Sequence, residues 1–320
     1  MTDTVPAKRK LSATERGNKE ITMAMEQIDN VMKTEFSDML HVKSQQMKAR
    51  LRDSVIMKPI KGDVFAYDGI GNVEAKEIVG RHQAVAFSEL DYSRRKMSRR
   101  RFEITLPIDA SDVRGTLLNP QGDYAAACVR AMERVFDRIV IEALFATVLT
   151  GRDFETTVSF ATDGGLTVDA TAGVTYEKLL EANENFIDNE VGTDMPENFI
   201  MGISGEEHTA LMKETELVSG DYSRQYVVDK GQMQVACGIE LKKFGGSIAR
   251  PMLSVSAGNV RDCFVASKRG VCVGISKEMS VSIDKRPDLI ETSQVQIVYE
   301  LGAVRTEGLL VQKFQTTHAV

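Results

Sequence analysis

The chain of 320 residues is poor in the side chains from which metal and redox centres are built. It has four cysteines, Cys128, Cys237, Cys263 and Cys272. They show no CxxC spacing and have no histidine at the distance along the chain that zinc sites use. This pattern fits synthesis in a reducing, intracellular compartment. We expect no bound metal and no cofactor.

Motifs for catalysis are missing as well. The sequence contains no P-loop, HExxH, GxSxG or EF-hand pattern. His208 follows two glutamates that could contribute to a metal site, but no second histidine stands four residues on, so a polar helix surface explains the group better. Asp109 and Asp112 could be paired carboxylates, although turn and cap roles explain them more simply. The sequence therefore predicts a protein that is not an enzyme.

Long apolar runs are also absent. No stretch approaches the roughly 20 apolar residues that a membrane-spanning helix needs. The first ten residues are polar and lack the apolar core of a secretory signal. With 42% hydrophobic and 27% charged residues, the composition is that of a globular protein with a sizeable core. We expect no contact with a membrane.

The charges that are present are distributed unevenly along a chain of net charge −6. Residues 92–101 carry six basic side chains and no acid, whereas residues 174–221 carry twelve acids and two lysines. Three interpretations of the basic run stay open: phosphate contacts with nucleic acid, a solvated strand face, and ion pairs with acidic patches on neighbouring copies. We favour ion pairs or nonspecific charge compensation, because the chain is acidic overall and has few aromatic residues.

The first half of the chain begins with a predicted arm and an excursion of two or three strands. Residues 1–11 form a basic tail, and a capping box of Ser12 and Glu15 then opens an amphipathic helix that ends near Leu51. The predicted strands of the excursion cover residues 55–59, 63–67 and, as a returning strand, 73–79. Residues 54–90 would thus make an extended, hairpin-like loop.

One long amphipathic helix is predicted over residues 123–148, where it would extend about 39 Å. Its apolar stripe consists of Tyr124, Cys128, Ala131, Met132, Val135, Phe136, Ile139, Ala143 and Leu144. The polar remainder consists largely of Arg130, Glu133, Arg134, Asp137 and Glu142. A helix of this length would act as a spine of its domain.

Helices and strands are mixed without regular alternation in the second half, which predicts an α+β fold. An acidic helix over residues 176–189 would bury Leu179, Leu180, Ala182 and Phe186. Further predicted elements are a strand at 198–201, a helix capped by Ser204 and Glu207 that runs toward Leu217, and strands at 293–301 and 308–314.

Short motifs occur in a fixed order along the first half of the chain. They are residues 36–46 (FSDMLHVKSQQ), 61–62 (KG), 68–71 (DGIG), 92–95 (YSRR), 108–109 (ID), 117–120 (LLNP), 124–126 (YAA) and 149–151 (LTG). This set resembles the tailed-phage major capsid proteins with the Hong Kong 97-type fold. The resemblance implies an N-terminal arm (1–53), an extended loop (54–90), a peripheral domain (91–172) with the spine helix, an axial domain (173–285) and return strands of the peripheral domain (286–320).

The same resemblance implies a major capsid protein that self-assembles into the icosahedral head shell enclosing the double-stranded DNA of a tailed phage. Implied partners are further copies in hexameric and pentameric capsomers, a separate scaffolding protein, the portal and, nonspecifically, packaged DNA. The implied locations are the virion capsid and, during assembly, the host cytoplasm. The predicted intersubunit contacts are Phe36, Met39, Lys61, Arg94, Arg95, Arg99, Arg100 and Arg101. The alternatives are an encapsulin-like shell that holds cargo enzymes and, less favoured, a soluble enzyme or a nucleic-acid-binding protein.

Overall fold

The structure is a computed structural model that describes residues 46–71, 73–75, 77, 87–108, 121–191, 199–218, 228–229, 232–245, 252–256, 259–289 and 292–317. The predicted basic tail, the capping box at Ser12 and most of the predicted arm lie outside these residues. At the described end of the arm, residues 46–51 are not helical and lead into a 3-10 turn at Arg52–Ser54.

The described residues fall into two compact units. One takes its residues from Thr105–Ala127 and Ile283–Val295, and the other from Gln45–Ile104, Cys128–Ser282 and Gln296–Val320. Each side-chain contact given below lies within a single unit. The predicted boundaries of arm, extended loop, peripheral domain and axial domain stay a prediction.

Helices and strands are mixed, as the α+β prediction requires. The α-helices are α1 (Gln121–Phe145), α2 (Tyr176–Asp188), α3 (Gly205–Lys213) and α4 (Thr215–Val218). The strands up to α2 are β1 (Ile56–Pro59), β2 (Val64–Ile70), β3 (Tyr92–Ser98), β4 (Arg100–Ile108), β5 (Val148–Thr150), β6 (Thr156–Val158) and β7 (Leu166–Ala170). The later strands are β8 (Phe199–Ile203), β9 (Val228–Asp229), β10 (Gln232–Met233), β11 (Val235–Ala236), β12 (Ile239–Lys243), β13 (Val255–Ser256), β14 (Val260–Ser267), β15 (Val271–Arg286), β16 (Thr292–Arg305) and β17 (Val311–Thr317).

The largest sheet has seven strands, in the order β11-β12-β8-β14-β17-β7, with β13 paired to β14. Strand β8 runs parallel to β12 and antiparallel to β14, and β17 runs antiparallel to β14 and parallel to β7. All five residues of β8 are buried, as expected for a central strand that is covered on both faces. The predicted strand at residues 198–201 is therefore confirmed and lies at the centre of this sheet.

Helix α2 confirms the predicted acidic helix, with one correction. Leu179, Ala182 and Phe186 are buried as predicted, and the Phe186 ring stacks on Phe199 with 4.4 Å between the ring centroids. Leu180 was expected on the same face but is 44% exposed. Adjacent residues on a helix differ by about 100° in direction, so burying Leu179 turns Leu180 away from the core.

The β2–β3 ribbon confirms the hairpin-like excursion but corrects the position of its returning strand. Strand β2 pairs antiparallel with β3, from Val64 opposite Ser98 to Ile70 opposite Tyr92. The described part of the predicted return, residues 73–75 and 77, contains no strand. The basic run had obscured the alternation of β3, in which Arg95 and Met97 are buried and the residues between and beside them are not.

Helix α1 confirms the predicted spine, with boundaries of Gln121 and Phe145 in place of 123 and 148. It ends before Val148 because residues 148–150 pair as strand β5 with β6. The stripe residues Cys128, Met132, Phe136, Ile139, Ala143 and Leu144 are buried, whereas Tyr124 is 37% exposed. Asp137, predicted on the polar side, has an exposed fraction of 0%. A charged residue can occupy such a position only when it is well hydrogen-bonded, as described below.

Two four-stranded sheets meet at the root of the ribbon, the end of β2 and β3 near Val64 and Ser98. One has the order β1-β15-β16-β4, the other has the order β2-β3-β5-β6, and β9 pairs with β10 in a separate two-stranded sheet. Met97, Val148, Cys272 and Val304 form a buried apolar cluster there. A Cβ atom at Gly302 would collide with the carbonyl oxygen of Ser98, so glycine permits this close approach of β3 to β16.

Candidate functional site

The outer end of the β2–β3 ribbon exposes an apolar pair. Ile70 and Tyr92 lie directly opposite each other in the register, and their exposed fractions are 70% and 74%. Farther from the root, Phe87 is 89% exposed. By contrast, Phe65 and Tyr67 at the other positions of β2 pack against the buried cluster at the root. An exposed apolar pair at the outer end of a ribbon whose root is packed marks a candidate contact with another protein surface.

The root of the ribbon is fixed by a buried ionic cluster, the Asp163 node, formed by Arg95, Asp163 and Arg305. Two nitrogens of Arg95 each lie 2.7 Å from an oxygen of Asp163, and Nε of Arg305 lies 2.9 Å from Oδ2. Arg305 also donates to the carbonyl oxygens of Leu144 (2.8 Å) and Ala146 (2.9 Å) at the end of α1. The node therefore joins β3, the turn before β7, β16 and the end of the spine helix.

The charge balance of the Asp163 node is unequal, because two guanidinium groups share one carboxylate. Burial alone would raise the pKa of Asp163, but hydrogen bonds and charge from Arg95 and Arg305 outweigh burial, and the pKa is lowered. Nε of Arg95 and Nη2 of Arg305 are buried and have no acceptor among the described residues. A carboxylate in this position is held in its charged form.

The other predicted arginines of the basic run make ion pairs within the chain. Arg94 pairs with Asp68 at 2.7 Å, and Arg100 pairs with Glu142 at 2.7 Å. Arg99 bridges Asp63 and Glu300, and Arg101 lies 3.6 Å from the same Glu300. Of the remaining predicted contacts, Lys61 is exposed, and Phe36 and Met39 lie outside the described residues. The structure thus gathers the arginines along one ribbon and its neighbouring strand, and their intersubunit role stays a proposal.

The segment that leads out of the predicted arm is held on α1 by backbone hydrogen bonds. The amides of Arg50 and Leu51 donate to Asp137 at 3.0 and 3.1 Å, and the amide of Ala49 donates to Glu133 at 2.9 Å. The side-chain amide of Gln46 also donates to Asp137. We call residues 46–51 the arm root. Its attachment depends mainly on amide groups that every residue except proline carries.

The carboxyl group of Asp137 has a raised pKa. Burial raises it and outweighs the donors from Arg50, Leu51 and Gln46, which lower it. Leu51 at the end of the segment is itself fully buried. The arm root is therefore anchored by one apolar side chain and by two carboxylates that lie one turn apart on α1.

A second buried ionic cluster stabilises the start of α3. Ser204 and Glu207 form the predicted capping box. Arg261 lies 3.1 Å from Oε1 of Glu207, and the Thr316 hydroxyl donates to the same atom at 2.9 Å. Burial would raise the pKa of Glu207, but the hydrogen bonds and the charge of Arg261 lower it. This cluster is part of the core of the large sheet and explains stability rather than chemistry.

Of the groups considered for catalysis, the structure describes His208, and it makes a structural contact. Nε2 of His208 accepts a hydrogen bond from the amide of Met233 at 3.3 Å. Across the described ranges, no group of three or more histidine, cysteine, aspartate or glutamate side chains is arranged to hold a metal ion. Asp109 and Asp112 lie outside those ranges. None of the helices that the structure describes has the length and apolar composition to cross a membrane.

Sequence reasoning missed the charged residues of the core. Asp163, Arg261 and Arg305 were not singled out, and Asp137 was placed on the wrong side of its helix. A signal was available for Asp137, which stands between the apolar pair Val135-Phe136 and the run from Ile139 to Ile141, whereas Arg261 and Arg305 lie at the edges of apolar runs and gave no such signal. A charge inside such a run is buried only when it is paired, so it predicts an ionic cluster, although it does not identify the partner.

The comparison with protein families decides what kind of protein carries these surfaces. The family described as "Phage capsid protein" matches residues 28–315. The chain belongs to this family. It is a major capsid protein, as its motifs predicted, and neither an encapsulin-like shell nor a soluble enzyme is favoured.

Solved structures show that this capsid protein has the predicted Hong Kong 97-type fold. It is similar to the capsid of Cyanophage P-SCSP1u, with a TM-score of 0.69 and 13% identity over 91% of this chain and 94% of that one. The head structure of Helicobacter pylori bacteriophage KHP40 gives 0.67 and 10%, covering 88% and 95%. The capsid of Ralstonia phage GP4 gives 0.65 and 11%, covering 90% and 96%. No curated protein matches in sequence.

Proposed function

We propose that this capsid protein assembles through hexameric and pentameric capsomers into an icosahedral shell that encloses the double-stranded DNA of a tailed phage. Assembly takes place in the host cytoplasm with a separate scaffolding protein and a portal. The role needs no catalytic group. It needs repeated contacts between copies that close into a shell, and each contact can be weak because the shell is multivalent.

The observation that carries the proposal is the exposed pair of Ile70 and Tyr92 at the end of the β2–β3 ribbon. Fully burying one such side chain contributes about 1.5–3 kcal/mol, so a chain that functioned alone would gain nothing by leaving both in water. The root of the ribbon is held in place by the Asp163 node and by the buried apolar cluster that contains Met97. A ribbon with a fixed root and an apolar end is suited to lie against another copy.

The test removes the apolar end and leaves the root intact. We expect the double variant Ile70→Ser with Tyr92→Ser to fold but to form few or no closed shells. Val64→Ser is the matched control, because Val64 lies on the same face of the same strand but near the root, and is 47% exposed. Negative-stain microscopy of the chain, expressed with and without the other phage head proteins, gives the readout. Uniform shells from the double variant would contradict the ribbon contact.

The exposed arginines of the basic run are proposed as a second intersubunit contact. Reversing the charges of Arg99, Arg100 and Arg101 to glutamate is expected to block shell formation while the subunit stays folded. Arg152→Glu with Lys277→Glu is the control, because both side chains are exposed elsewhere on the same unit. Normal shells from the triple variant would show that the internal ion pairs with Asp63, Glu142 and Glu300 are the whole role of these arginines.

A further inference from the structure

A row of three arginines follows the spine helix. Arg130, Arg134 and Arg138 stand at four-residue intervals on α1, so they lie about 6 Å apart along one side. Like charges at this spacing repel and weaken a helix. The side chains of Arg130 and Arg138 make no hydrogen bond or ion pair with any residue in the ranges that the structure describes. Two of the three arginines in the row therefore form no side-chain ion pair within the described ranges.

The arm root adds positive charge beside this row. Its attachment points, Glu133 and Asp137, each lie three residues after an arginine of the row, and residues three apart are neighbours on a helix surface. Lys48 and Arg50 of the arm root are exposed. Glu133 and Asp137 accept backbone N–H groups and are largely buried, and Glu142, four residues after Arg138, pairs with Arg100. The local charge is therefore strongly positive on a chain whose net charge is −6.

Lys243 at the end of β12 extends the same region. The Arg50 guanidinium lies over the Phe244 ring, 5.7 Å from its centroid, next to Lys243 in the chain. Burial and the charge of Arg50 both lower the pKa of Lys243. Two positive charges are thus close enough to repel each other, although Lys243 gains a hydrogen bond to Gln232 at 3.2 Å. A bound polyanion would reduce the repulsion between these two positive charges.

We propose that this basic surface, formed by Lys48, Arg50, Arg130, Arg134, Arg138 and Lys243, binds the phosphate backbone of double-stranded DNA without sequence preference. The inference rests on the proposed function, in which the shell encloses DNA, and identifies the part of the subunit that contacts it. Guanidinium and ammonium groups along a helix suit phosphates, and contacts with phosphates carry no sequence information.

The test compares two variants of the full chain that lose equal charge. The surface variant carries Lys48→Gln, Arg50→Gln, Arg130→Gln and Arg138→Gln. The control carries Arg152→Gln, Lys213→Gln, Lys277→Gln and Lys285→Gln, all exposed residues outside the surface. Fluorescence anisotropy measures the affinity of unassembled subunits for a labelled DNA duplex of about 30 base pairs at a series of salt concentrations. Thermal unfolding confirms that both variants are folded.

We expect the surface variant to bind at least about tenfold more weakly at low salt than the wild type. Its log–log salt dependence should be shallower by about 3 to 4, since each lost phosphate contact removes roughly 0.9 from the slope. The control should stay close to the wild type.

Equal weakening in both variants, or no DNA binding by the wild type, would overturn the assignment. The proposed function would survive either result if the wild type forms closed shells in the microscope. A surface variant that binds DNA normally but forms no shells would assign the surface to a neighbouring copy instead of to DNA.

Discussion

The carboxylate of Asp137 is fully buried and that of Asp163 is 9% exposed, and the partners of the two groups differ. Asp163 lies between the guanidinium groups of Arg95 and Arg305, which outweigh burial and lower its pKa. Asp137 faces the neutral amides of Arg50 and Leu51, which do not outweigh burial, so its pKa is raised. The two pKa values therefore shift in opposite directions, because two positive charges outweigh the burial of Asp163, whereas neutral donors do not outweigh the deeper burial of Asp137.

The two sites also connect different parts of the chain. The Asp163 node ties the ribbon root to the end of the spine helix through side chains that must all be present together. The Asp137 site holds the arm root mainly through backbone amides, so the side chains of residues 49 and 50 can vary without loss of the hydrogen bonds. We infer that the node fixes the fold, whereas the arm root is an attachment that can yield while the fold persists.

The largest effect is expected from Asp163→Asn. Removing the carboxylate leaves two guanidinium groups buried without a counter-charge, and breaking a buried ion pair from one side costs about 3–5 kcal/mol. The free energy of unfolding of the unassembled subunit, measured in denaturant, checks the value. Asp288→Asn, which breaks the exposed pair with Arg286, is the control and should have little effect. A loss below about 1 kcal/mol for Asp163→Asn would remove the distinction between the node and the arm root.

A smaller and local effect is expected from Asp137→Asn. The variant loses at least one of the hydrogen bonds that hold the arm root, each of which contributes about 0.5–1.5 kcal/mol, but the amide oxygen still accepts one of them. Hydrogen exchange should accelerate at the amides of Arg50 and Leu51 while the strands of the large sheet stay protected. Faster exchange throughout the protein would mean that Asp137 supports the core as Asp163 does.

The sequence was sufficient to predict elements that depend on regularly spaced apolar residues or on a local capping motif. Helix α1, strand β8 and the capping box of Ser204 and Glu207 were all predicted from apolar spacing or from local cap chemistry. These features depend on residues within a few positions of each other, so no knowledge of the tertiary structure is needed. The family motifs then supplied the fold as a whole.

The sequence was insufficient where partners are distant in the chain. Arg95 looked like one of six similar basic residues, yet it alone of the basic run is buried, because Asp163 and Arg305 meet it from 68 and 210 positions away. A strand at β3 stayed only one of three interpretations of the basic run, because its charges hide the alternation of buried and exposed residues. The end of α1 was placed three residues late because β5 competes for Val148.

The two carboxylates are expected to respond to pH with opposite signs. Asp163 contributes stability above its unfolded pKa of about 3.9, and this is lost as the pH falls through its lower folded pKa. The contribution of Asp137 is complete below about pH 3.9 and is lost as the pH rises through its raised folded pKa. Unfolding free energies between about pH 3 and pH 7 should therefore show the deficit of Asp163→Asn growing with pH and that of Asp137→Asn shrinking. Deficits that change in parallel would contradict this.

The smallest effect is expected from Arg100→Gln. This substitution removes an exposed ion pair, with which the sites of Asp163 and Asp137 can be compared. Arg100 and Glu142 are each about half exposed, and an ion pair of this kind contributes about 0–1 kcal/mol because water and salt screen it. Denaturant unfolding should therefore barely change. The same variant in a shell-formation assay separates two roles of the residue: impaired shells from a subunit of normal stability would assign Arg100 to contacts between copies, whereas normal shells would leave the pair with Glu142 as its role. A loss of stability close to that of Asp163→Asn would show that exposure does not distinguish these carboxylate sites.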